Sequence, residues 1–374
     1  MPLLLRIPLT IAALLLGILC AWRMHPPQGE FEAEKSVSAP AGAGPIFKVR
    51  YLNIDQSNEL PMVHVASPVL DHGRISTVWY GGSGECAPEV KIYFSGDLVA
   101  EPSVIMTRER AARDLGRPVL SLGNAILIAE QDGSLRLLFV TIAMGKWSGS
   151  QLNSCVSKDG GFTWSRAERL TLSPFFNLAE LVRNRPLPIG GGGWCVPVYQ
   201  EFLGKFPELL WLGNDGSYRK SRIAGGCTSF QPSVVPLDGR KAIALMRDYT
   251  PARRIHLART EDGGRSWTKP VPTSLPNPDA GVSAVRLSDG RILLSYNDSA
   301  TDRKNLSWAV STDDGVSWQK IGAPDYYPIH SLAYPYLMRD GQFLFQAFTA
   351  DGKLIELDSF NEAFVNEMAA PAKP

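Results

Sequence analysis

The sequence contains few of the side chains that commonly bind metals. Its 374 residues include five His and five Cys, and their spacing matches no metal-binding motif. We therefore expect neither a metal nor another cofactor. The charge is also nearly balanced, with 38 Lys and Arg against 37 Asp and Glu, and no long basic run is present. This balance argues against a nucleic-acid partner.

Long apolar runs are also scarce, and only the N-terminus has one. It extends from Ile7 to Trp22, between Arg6 and Arg23. No small-residue cleavage site follows promptly, so residues 1–24 are predicted to be an uncleaved membrane anchor rather than a removed signal peptide. We expect the rest of the chain to be extracytoplasmic: membrane-anchored, periplasmic in a Gram-negative cell, or secreted if the segment is cleaved.

Residues 25–45 are rich in Pro, Ala and Gly and show no hydrophobic periodicity. This composition predicts a flexible linker, with a folded domain at 46–374. Four cysteines follow the linker, namely Cys86, Cys155, Cys195 and Cys227. Disulfides and buried free thiols are both compatible with the sequence.

One eight-residue motif occurs three times: SKDGGFTW at 157–164, TEDGGRSW at 260–267 and STDDGVSW at 311–318. In each copy the Asp can accept hydrogen bonds from its own turn, the Gly permits an unusual backbone conformation, and the Trp can pack on a neighbouring sheet. We predict a structural role for this motif, the Asp-box. Its residues are Ser157, Asp159, Gly161, Trp164, Asp262, Gly264, Trp267, Ser311, Asp313, Gly315 and Trp318.

A second repeat consists of hairpin turns, most of them Asp-Gly or close to it, between apolar segments. The turns lie at Gly73, Gly133, 189–193, Gly239, Gly290 and Gly341. Degenerate boxes follow two of these turns, at 94–97 and 212–218. Six units of about 50–60 residues with several short strands each predict an all-β fold, a six-bladed β-propeller. The strand near 47–53 is expected to close the ring by pairing with the last blade.

Hairpins and boxes share one face of such a propeller, so other side chains should line the opposite face, the mouth. We expect them about ten residues before or after each hairpin turn. They are His64, Glu85, Asn124, Trp147, Arg183, Arg185, Tyr199, Glu201, Gln231, Arg247, Asn277, Asn297, Arg303, His330 and Tyr334. Amides, guanidinium groups and aromatic rings together suit a sugar, especially an acidic one.

The boxes and the ordered segments WYGGSGE, LGN, VPVYQE, FQPS, LMRD, LPNP, SYND, DRKNL and AYPY resemble the bacterial sialidase-like proteins of the neuraminidase superfamily, which carry BNR (Asp-box) repeats. The resemblance implies a retaining glycosidase with a tyrosine nucleophile. By order along the chain, it implies Tyr334 as nucleophile, Glu201 as the residue that activates it, and Arg247 and Arg303 as carboxylate-binding arginines. Glu85 lies near the acid/base position, where Glu89 competes with it.

The sequence departs from this family at its first arginine. The Arg-Ile-Pro motif expected there occurs only at 6–8, in the N-terminal segment, and His64 occupies the corresponding stretch. His64 is therefore a second candidate acid/base. The remaining predicted substrate-binding residues are Asn124, Tyr199, Gln231, Asn277 and Asn297.

These observations predict an extracytoplasmic glycoside hydrolase, an exo-α-sialidase-like enzyme that acts on an acidic sugar or polysaccharide. Its expected partners are a glycan and, through the N-terminal segment, a membrane. One alternative is a non-catalytic propeller that binds or scaffolds carbohydrate, as the missing arginine suggests. A glycan lyase that uses His64 and Tyr334 as base and acid is the third possibility.

Overall fold

The computed structural model describes residues 3–23, 30–32, 44–52, 60–71, 73–97, 99–172, 177–223, 225, 228–324 and 330–370. Its helices are α1 (Leu3–Arg23), α2 (Arg108–Leu115) and α3 (Glu362–Ala369), with a 3₁₀ turn at Lys146–Gly149. The strands are β1 (Phe47–Tyr51), β2 (Met62–Asp71), β3 (Arg74–Gly82), β4 (Lys91–Gly96), β5 (Val99–Met106), β6 (Ser121–Ala129), β7 (Leu135–Ile142), β8 (Ser150–Ser157), β9 (Glu168–Arg169), β10 (Glu180–Val182), β11 (Leu187–Pro188), β12 (Trp194–Gln200), β13 (Phe206–Leu212), β14 (Tyr218–Arg222), β15 (Ser229–Pro236), β16 (Ala242–Asp248), β17 (Arg254–Thr260), β18 (Val271–Pro276), β19 (Ser283–Arg286), β20 (Ile292–Tyr296), β21 (Ser307–Ser311), β22 (Gln319–Gly322), β23 (Leu332–Asp340), β24 (Phe343–Ala350) and β25 (Leu354–Asn361).

These strands form six antiparallel sheets, five of four strands and one of five, which contains β10–β14. The first strands of most neighbouring sheets lie side by side, and blades three and four meet through β12 and β15. Strand β23 of the last sheet contacts β2 of the first, so the ring is closed. The core lies between the blades, where the apolar faces of adjacent sheets pack together. The predicted six-bladed β-propeller is confirmed.

The ring is closed by the N-terminal strand, as predicted. Strand β1 pairs with β25, with Phe47 opposite Phe360 and Tyr51 opposite Glu356, so the last blade contains both ends of the domain. The Phe47 ring also stacks on Phe364 of α3, with 4.9 Å between ring centroids. The pairing covers the edge that β25 would otherwise expose.

All six predicted hairpin turns join the first two strands of a blade, and the three boxes join the last two strands of theirs. Within the first box, Gly161 N–H donates to Ser157 Oγ (2.8 Å) and Thr163 N–H donates to Asp159 Oδ1 (2.9 Å). The indole N–H of Trp164 donates to the Gly161 carbonyl oxygen (3.1 Å). Hydrogen bonds from the Thr163 hydroxyl and N–H lower the pKa of Asp159, so the carboxylate form supports this turn.

Each box also contacts the preceding blade, and its glycine makes this possible. A Cβ atom on Gly161 would lie 2.3 Å from the Phe94 ring, and one on Gly315 would lie 2.8 Å from Leu257 Cδ1. Both glycines have positive φ, +98° and +83°, which residues with a Cβ rarely adopt. The boxes thus join neighbouring blades.

Blade three has a degenerate box, and a cavity lies beside it. This groove of about 550 Å³ runs between blades two and three on the box face and is lined by Trp194, Tyr218, Arg169 and Glu130, among others. In blades two, four and five a box fills the equivalent space against the preceding blade. The shortened turn at 213–217 leaves this space open.

Helix α1 lies in the range predicted as a membrane anchor. In the part of the chain that the structure describes, no helix is both long and apolar enough to span a bilayer. The transmembrane prediction is therefore not supported. The apolar run from Ile7 to Trp22 holds 16 residues, which rise about 24 Å in a helix, less than the roughly 30 Å of hydrocarbon core.

Part of the predicted linker is packed against the propeller. Phe31 is only 3 % exposed, and its ring lies 5.8 Å from that of Trp211 and against Gly264 of the second box. Phe31 N–H donates to the Gly239 carbonyl (2.8 Å), and Gly190 N–H donates to the Glu30 carbonyl (2.6 Å). Residues 30–32 thus pack between blades three and four, on the face of the propeller that carries the Asp-boxes. The rest of 25–45, apart from 44–45, lies outside the described residues.

We expect Phe31→Ala to lower the free energy of unfolding by about 3 kcal/mol, because it removes a buried ring and leaves a cavity beside Trp211. Urea denaturation of the full chain measures this effect. Glu32→Ala, at an exposed neighbouring position, is the matched control and should change stability by less than about 0.5 kcal/mol. Equal stability of the two variants would show that the packing of this segment does not stabilise the propeller.

Cys86, Cys155 and Cys195 carry free thiols, which favours the second of the two cysteine predictions, and Cys227 lies outside the described residues. Burial raises the pKa of Cys86 to about 11 and that of Cys155 to about 12. These thiols are therefore protonated at neutral pH and unreactive.

Candidate functional site

The innermost strands of four blades carry a bulge near the mouth. The one in β6 follows Leu122, and the other three share one backbone feature. Register shifts occur after His64 in β2, after Phe230 in β15 and after Ala333 in β23. At each shift one non-glycine residue has positive φ: Val65 (53°), Gln231 (53°) and Tyr334 (57°). Such bulges re-aim side chains and concentrate at functional sites. Here they surround the propeller axis at the mouth.

A pocket of about 210 Å³ lies at this position. Its lining residues are Tyr80, Glu85, Asn124, Trp147, Tyr199, Glu201, Lys205, Gln231, Arg247 and Tyr334. Eight of them, all but Tyr80 and Lys205, were predicted from the sequence to line the mouth. The larger groove on the box face contains none of the predicted site residues, so the smaller pocket is the candidate site.

Tyr334 lies among three basic side chains. The His64 ring meets it edge-on, with 4.7 Å between centroids. The guanidinium carbons of Arg183 and Arg303 lie 5.4 Å and 5.5 Å from the centre of the Tyr334 ring. The positive charges of the two guanidinium groups attract the face of the ring at these distances.

Arg247 and Arg303 are held by one residue that the sequence analysis missed. Arg247 Nε donates to Asp279 Oδ1 (2.5 Å), and Arg303 Nη2 donates to the Asp279 carbonyl oxygen (2.7 Å). Burial opposes the charge on Arg247, but Tyr334 and Asp279 outweigh it and raise its pKa. The only sequence signal for Asp279 is its place after Pro278 in LPNPDAG.

A chain of hydrogen bonds crosses the pocket floor from blade two to blade four. The amide nitrogens of Asn124 and Gln231 donate to the Tyr199 hydroxyl oxygen at 3.0 Å and 3.2 Å. Arg247 Nη1 donates to Gln231 Oε1 (3.3 Å). Burial raises the pKa of Tyr199, so its phenol stays protonated. The chain joins three predicted substrate-binding residues to one predicted arginine.

Glu85, a predicted acid/base residue, lines the pocket, and His64, a second candidate for that role, lies against it. His64 Nε2 lies 3.4 Å from Glu85 Oε1, and Trp147 Nε1 donates to Glu85 Oε2 (3.3 Å). Burial, with the charges of Arg303 and Arg183, lowers the pKa of His64 to about 4. His64 is therefore neutral at pH 7 and is a poor proton donor there. The other candidate, Glu89, accepts hydrogen bonds from Ser83 and lies outside the pocket.

Glu201 forms an ion pair with Lys205, which the sequence analysis did not select. Lys205 Nζ lies 2.8 Å from Glu201 Oε2 and 4.0 Å from the centre of the Phe230 ring. Among the described residues, no hydrogen bond joins Glu201 to Tyr334. The Glu-x-x-x-Lys spacing at the end of a hairpin is the sequence signal that could have identified this ion pair.

Three predicted substrate-binding residues, Asn277, Asn297 and Arg303, are not among the residues that line the pocket. Arg303 contacts the Tyr334 ring, whereas the two asparagines make other contacts. Asn277 is fully buried, and its amide bonds to Ala280 within its own loop (2.8 and 2.9 Å). Asn297 Nδ2 donates to the carbonyl oxygens of Asn305 and Leu332, which links blades five and six. Both side chains hold loops in place.

Arg183 lies behind the pocket and connects three blades. It is 1 % exposed and donates to the carbonyl oxygens of Val282 (2.9 Å) and Pro335 (2.6 Å) and to Asn184 Oδ1 (2.6 Å). Burial lowers its pKa to about 10, so it remains charged at pH 7. Through Pro335 it fixes the bulge that carries Tyr334.

The comparisons with known proteins agree with this architecture. The BNR repeat-like domain model matches residues 73–345, whereas curated proteins give no match in sequence. A protein of unknown function from Dyadobacter fermentans has 16 % identity and a TM-score of 0.65, and the match covers 84 % of this chain and 99 % of that chain. The Hadza microbial sialidase Hz136 has 18 % identity and a TM-score of 0.65, over 80 % of this chain and 66 % of that one. The K499G mutant of NanB sialidase from Streptococcus pneumoniae has 13 % identity and a TM-score of 0.64, over 82 % and 70 %.

At these identities the solved structures establish the fold alone. The family match covers most of the propeller, and the three boxes within it have the expected hydrogen bonds. The chain therefore belongs to the BNR repeat-like domain family and is a sialidase-like six-bladed propeller.

Proposed function

We propose that this protein is an extracytoplasmic glycoside hydrolase of the sialidase type that acts on a glycan with an acidic sugar. The supporting observation is the set of side chains around Tyr334. This residue lines the pocket together with Glu85 and Glu201, and its ring contacts two guanidinium groups. The apolar N-terminal segment supports the extracytoplasmic location. Several solved structures of the same fold are described as sialidases.

In this proposal Tyr334 is the nucleophile. Its oxygen forms a bond to the anomeric carbon while the bond from that carbon to the leaving oxygen breaks, and Glu201 takes the phenol proton. Arg183 and Arg303 stabilise the charge that develops on the phenol oxygen. Water then cleaves the glycosyl-tyrosine bond and releases the sugar.

Glu85 protonates the leaving oxygen, because its side chain lines the pocket whereas the His64 ring does not. The Glu85 side chain is 41 % exposed, so a leaving group in the pocket can reach it. His64 and Trp147 hold it from two sides. His64 is therefore a positioning residue. Arg247 and Arg303, both anchored on Asp279, bind the anionic group of the sugar.

A non-catalytic carbohydrate-binding propeller is the second candidate. Two observations favour it: Glu201 is paired with Lys205 rather than with Tyr334, and His64 replaces the first arginine of the family. In that case the same pocket would bind an acidic glycan without cleaving it.

Glu85→Gln tests the hydrolase. The full chain is incubated with sialosides and uronides that carry either an alkyl or a nitrophenyl leaving group, and the released sugar is measured. We expect Glu85→Gln to lower turnover of the alkyl glycosides about 10²–10⁴-fold and that of the nitrophenyl glycosides much less, because nitrophenolate leaves without a proton. Glu89→Gln, outside the pocket, is the matched control and should behave as wild type.

Three outcomes would redirect the proposal. Binding of these glycans without release of sugar would establish the carbohydrate-binding function. An unsaturated product that absorbs in the ultraviolet would establish a lyase. Equal losses on both leaving groups would remove Glu85 as the acid.

A further inference from the structure

The pocket contains a positive charge that its hydrolytic mechanism does not use. Lys205 lies at the end of the loop between β12 and β13, where Gln200 pairs with Phe206. The turn is only five residues long, so it brings the first and last, Glu201 and Lys205, together at 2.8 Å. Both side chains line the pocket.

The ammonium group of Lys205 lies against the same aromatic ring as Arg247, one of the two arginines proposed to bind the anionic group. Lys205 Nζ lies 4.0 Å from the centre of the Phe230 ring, and the guanidinium carbon of Arg247 lies 4.6 Å from it. The Tyr249 ring, 5.3 Å away, also contacts the ammonium group. Each cation has its own carboxylate, Glu201 for Lys205 and Asp279 for Arg247. Both cations line the pocket, so an anion bound there has two cations near it.

Blade one supplies no such cation. His64 occupies the stretch where the family resemblance places an arginine, and this imidazole is neutral at pH 7 because it is buried beside Arg303 and Arg183. A third positive charge that binds an anion together with Arg247 and Arg303 must therefore come from elsewhere in the pocket. Lys205, on the blade-three loop, is the remaining cationic side chain among the described pocket-lining residues.

We propose that Lys205 is the residue that selects an acidic sugar, and that the ligand's carboxylate displaces Glu201 from it. The inference rests on the proposed function and assigns the substrate class to this one side chain. No covalent bond changes in the exchange: the ammonium group passes from one carboxylate to another. Glu201 is then free to take the proton of Tyr334, so the acidic group of the correct sugar activates the site.

The test uses sugars that differ only in charge. N-acetylneuraminic acid and glucuronic acid are each compared with their methyl esters, and affinities for the full chain are measured by calorimetry at pH 7. Wild type should bind at least one acid about tenfold more tightly than its ester. Lys205→Met should reduce this preference to less than about threefold, while Lys205→Arg should keep it.

Glu201→Gln distinguishes the exchange from a simple ion pair. It removes the competing carboxylate, so acid binding should tighten about threefold or more while ester binding stays unchanged. Weaker acid binding in this variant would overturn the exchange. Equal binding of acid and ester by wild type, a preference that persists in Lys205→Met, or no binding of either acid would overturn the role of Lys205. If Lys205→Met loses the preference but the wild type shows no turnover, the role of Lys205 in binding the acid stands and the proposed hydrolase activity is rejected.

Discussion

Tyr334→Phe is expected to lower turnover of an acidic glycoside at least about 10³-fold and to leave ligand affinity within about threefold. The substitution removes only the hydroxyl oxygen that would form the glycosyl bond. The ring that packs between His64, Arg183 and Arg303 remains. The measurement is release of sugar by the full chain, with affinity for the free sugar determined in parallel.

A control tyrosine lies on the other face of the propeller. Tyr218 lines the groove between blades two and three, where its hydroxyl accepts a hydrogen bond from Thr171 N–H (3.0 Å). Tyr218→Phe should therefore keep wild-type turnover. Substantial turnover by Tyr334→Phe would exclude a tyrosine nucleophile, and a loss of affinity equal to the loss of turnover would indicate that the hydroxyl binds the sugar.

Arg183→Lys should lower the free energy of unfolding by about 3–5 kcal/mol. A single ammonium group cannot reproduce the planar donors that reach Val282, Pro335 and Asn184 at once. The substitution leaves buried acceptors unpaired in three blades, and each such group costs about 1–3 kcal/mol. Urea denaturation of the full chain gives the free energy of unfolding.

Arg50→Lys is the control for this substitution. The Arg50–Asp97 ion pair is exposed, with 50 % and 39 % of the two side chains accessible, so its loss should cost less than about 1 kcal/mol. A change of the same small size in Arg183→Lys would mean that the three acceptors find other donors. In that case Arg183 would not fix the bulge that carries Tyr334.

The fold was predictable because its signals are local in the chain. A hairpin glycine or an Asp-box encodes its own turn within eight residues, and six such units at a regular interval imply six blades. The strand near residue 47 was expected to pair with the last blade, and β1 pairs with β25 there. The same reasoning placed Glu85, Tyr199, Arg247 and Tyr334 at the mouth, since the ends of strands lie at known distances from their hairpins.

Predictions from local spacing were wrong where a side chain bonds within its own loop or contacts another blade. Asn277 and Asn297 lie at the predicted ends of strands, yet their amides bond to nearby backbone. Phe31 belongs to a segment of linker-like composition, and only the space above Gly264 shows why it is buried.

The sequence by itself determined the propeller, its closure and the face on which a site could form. The tertiary structure alone decided which side chains converge there. Asp279 holds two arginines, Arg183 supports the strand that carries Tyr334, and Lys205 pairs with Glu201. These contacts depend on the packing of separate blades, which brings residues from His64 to Tyr334 together around one axis. No local sequence pattern encodes the distances across that axis.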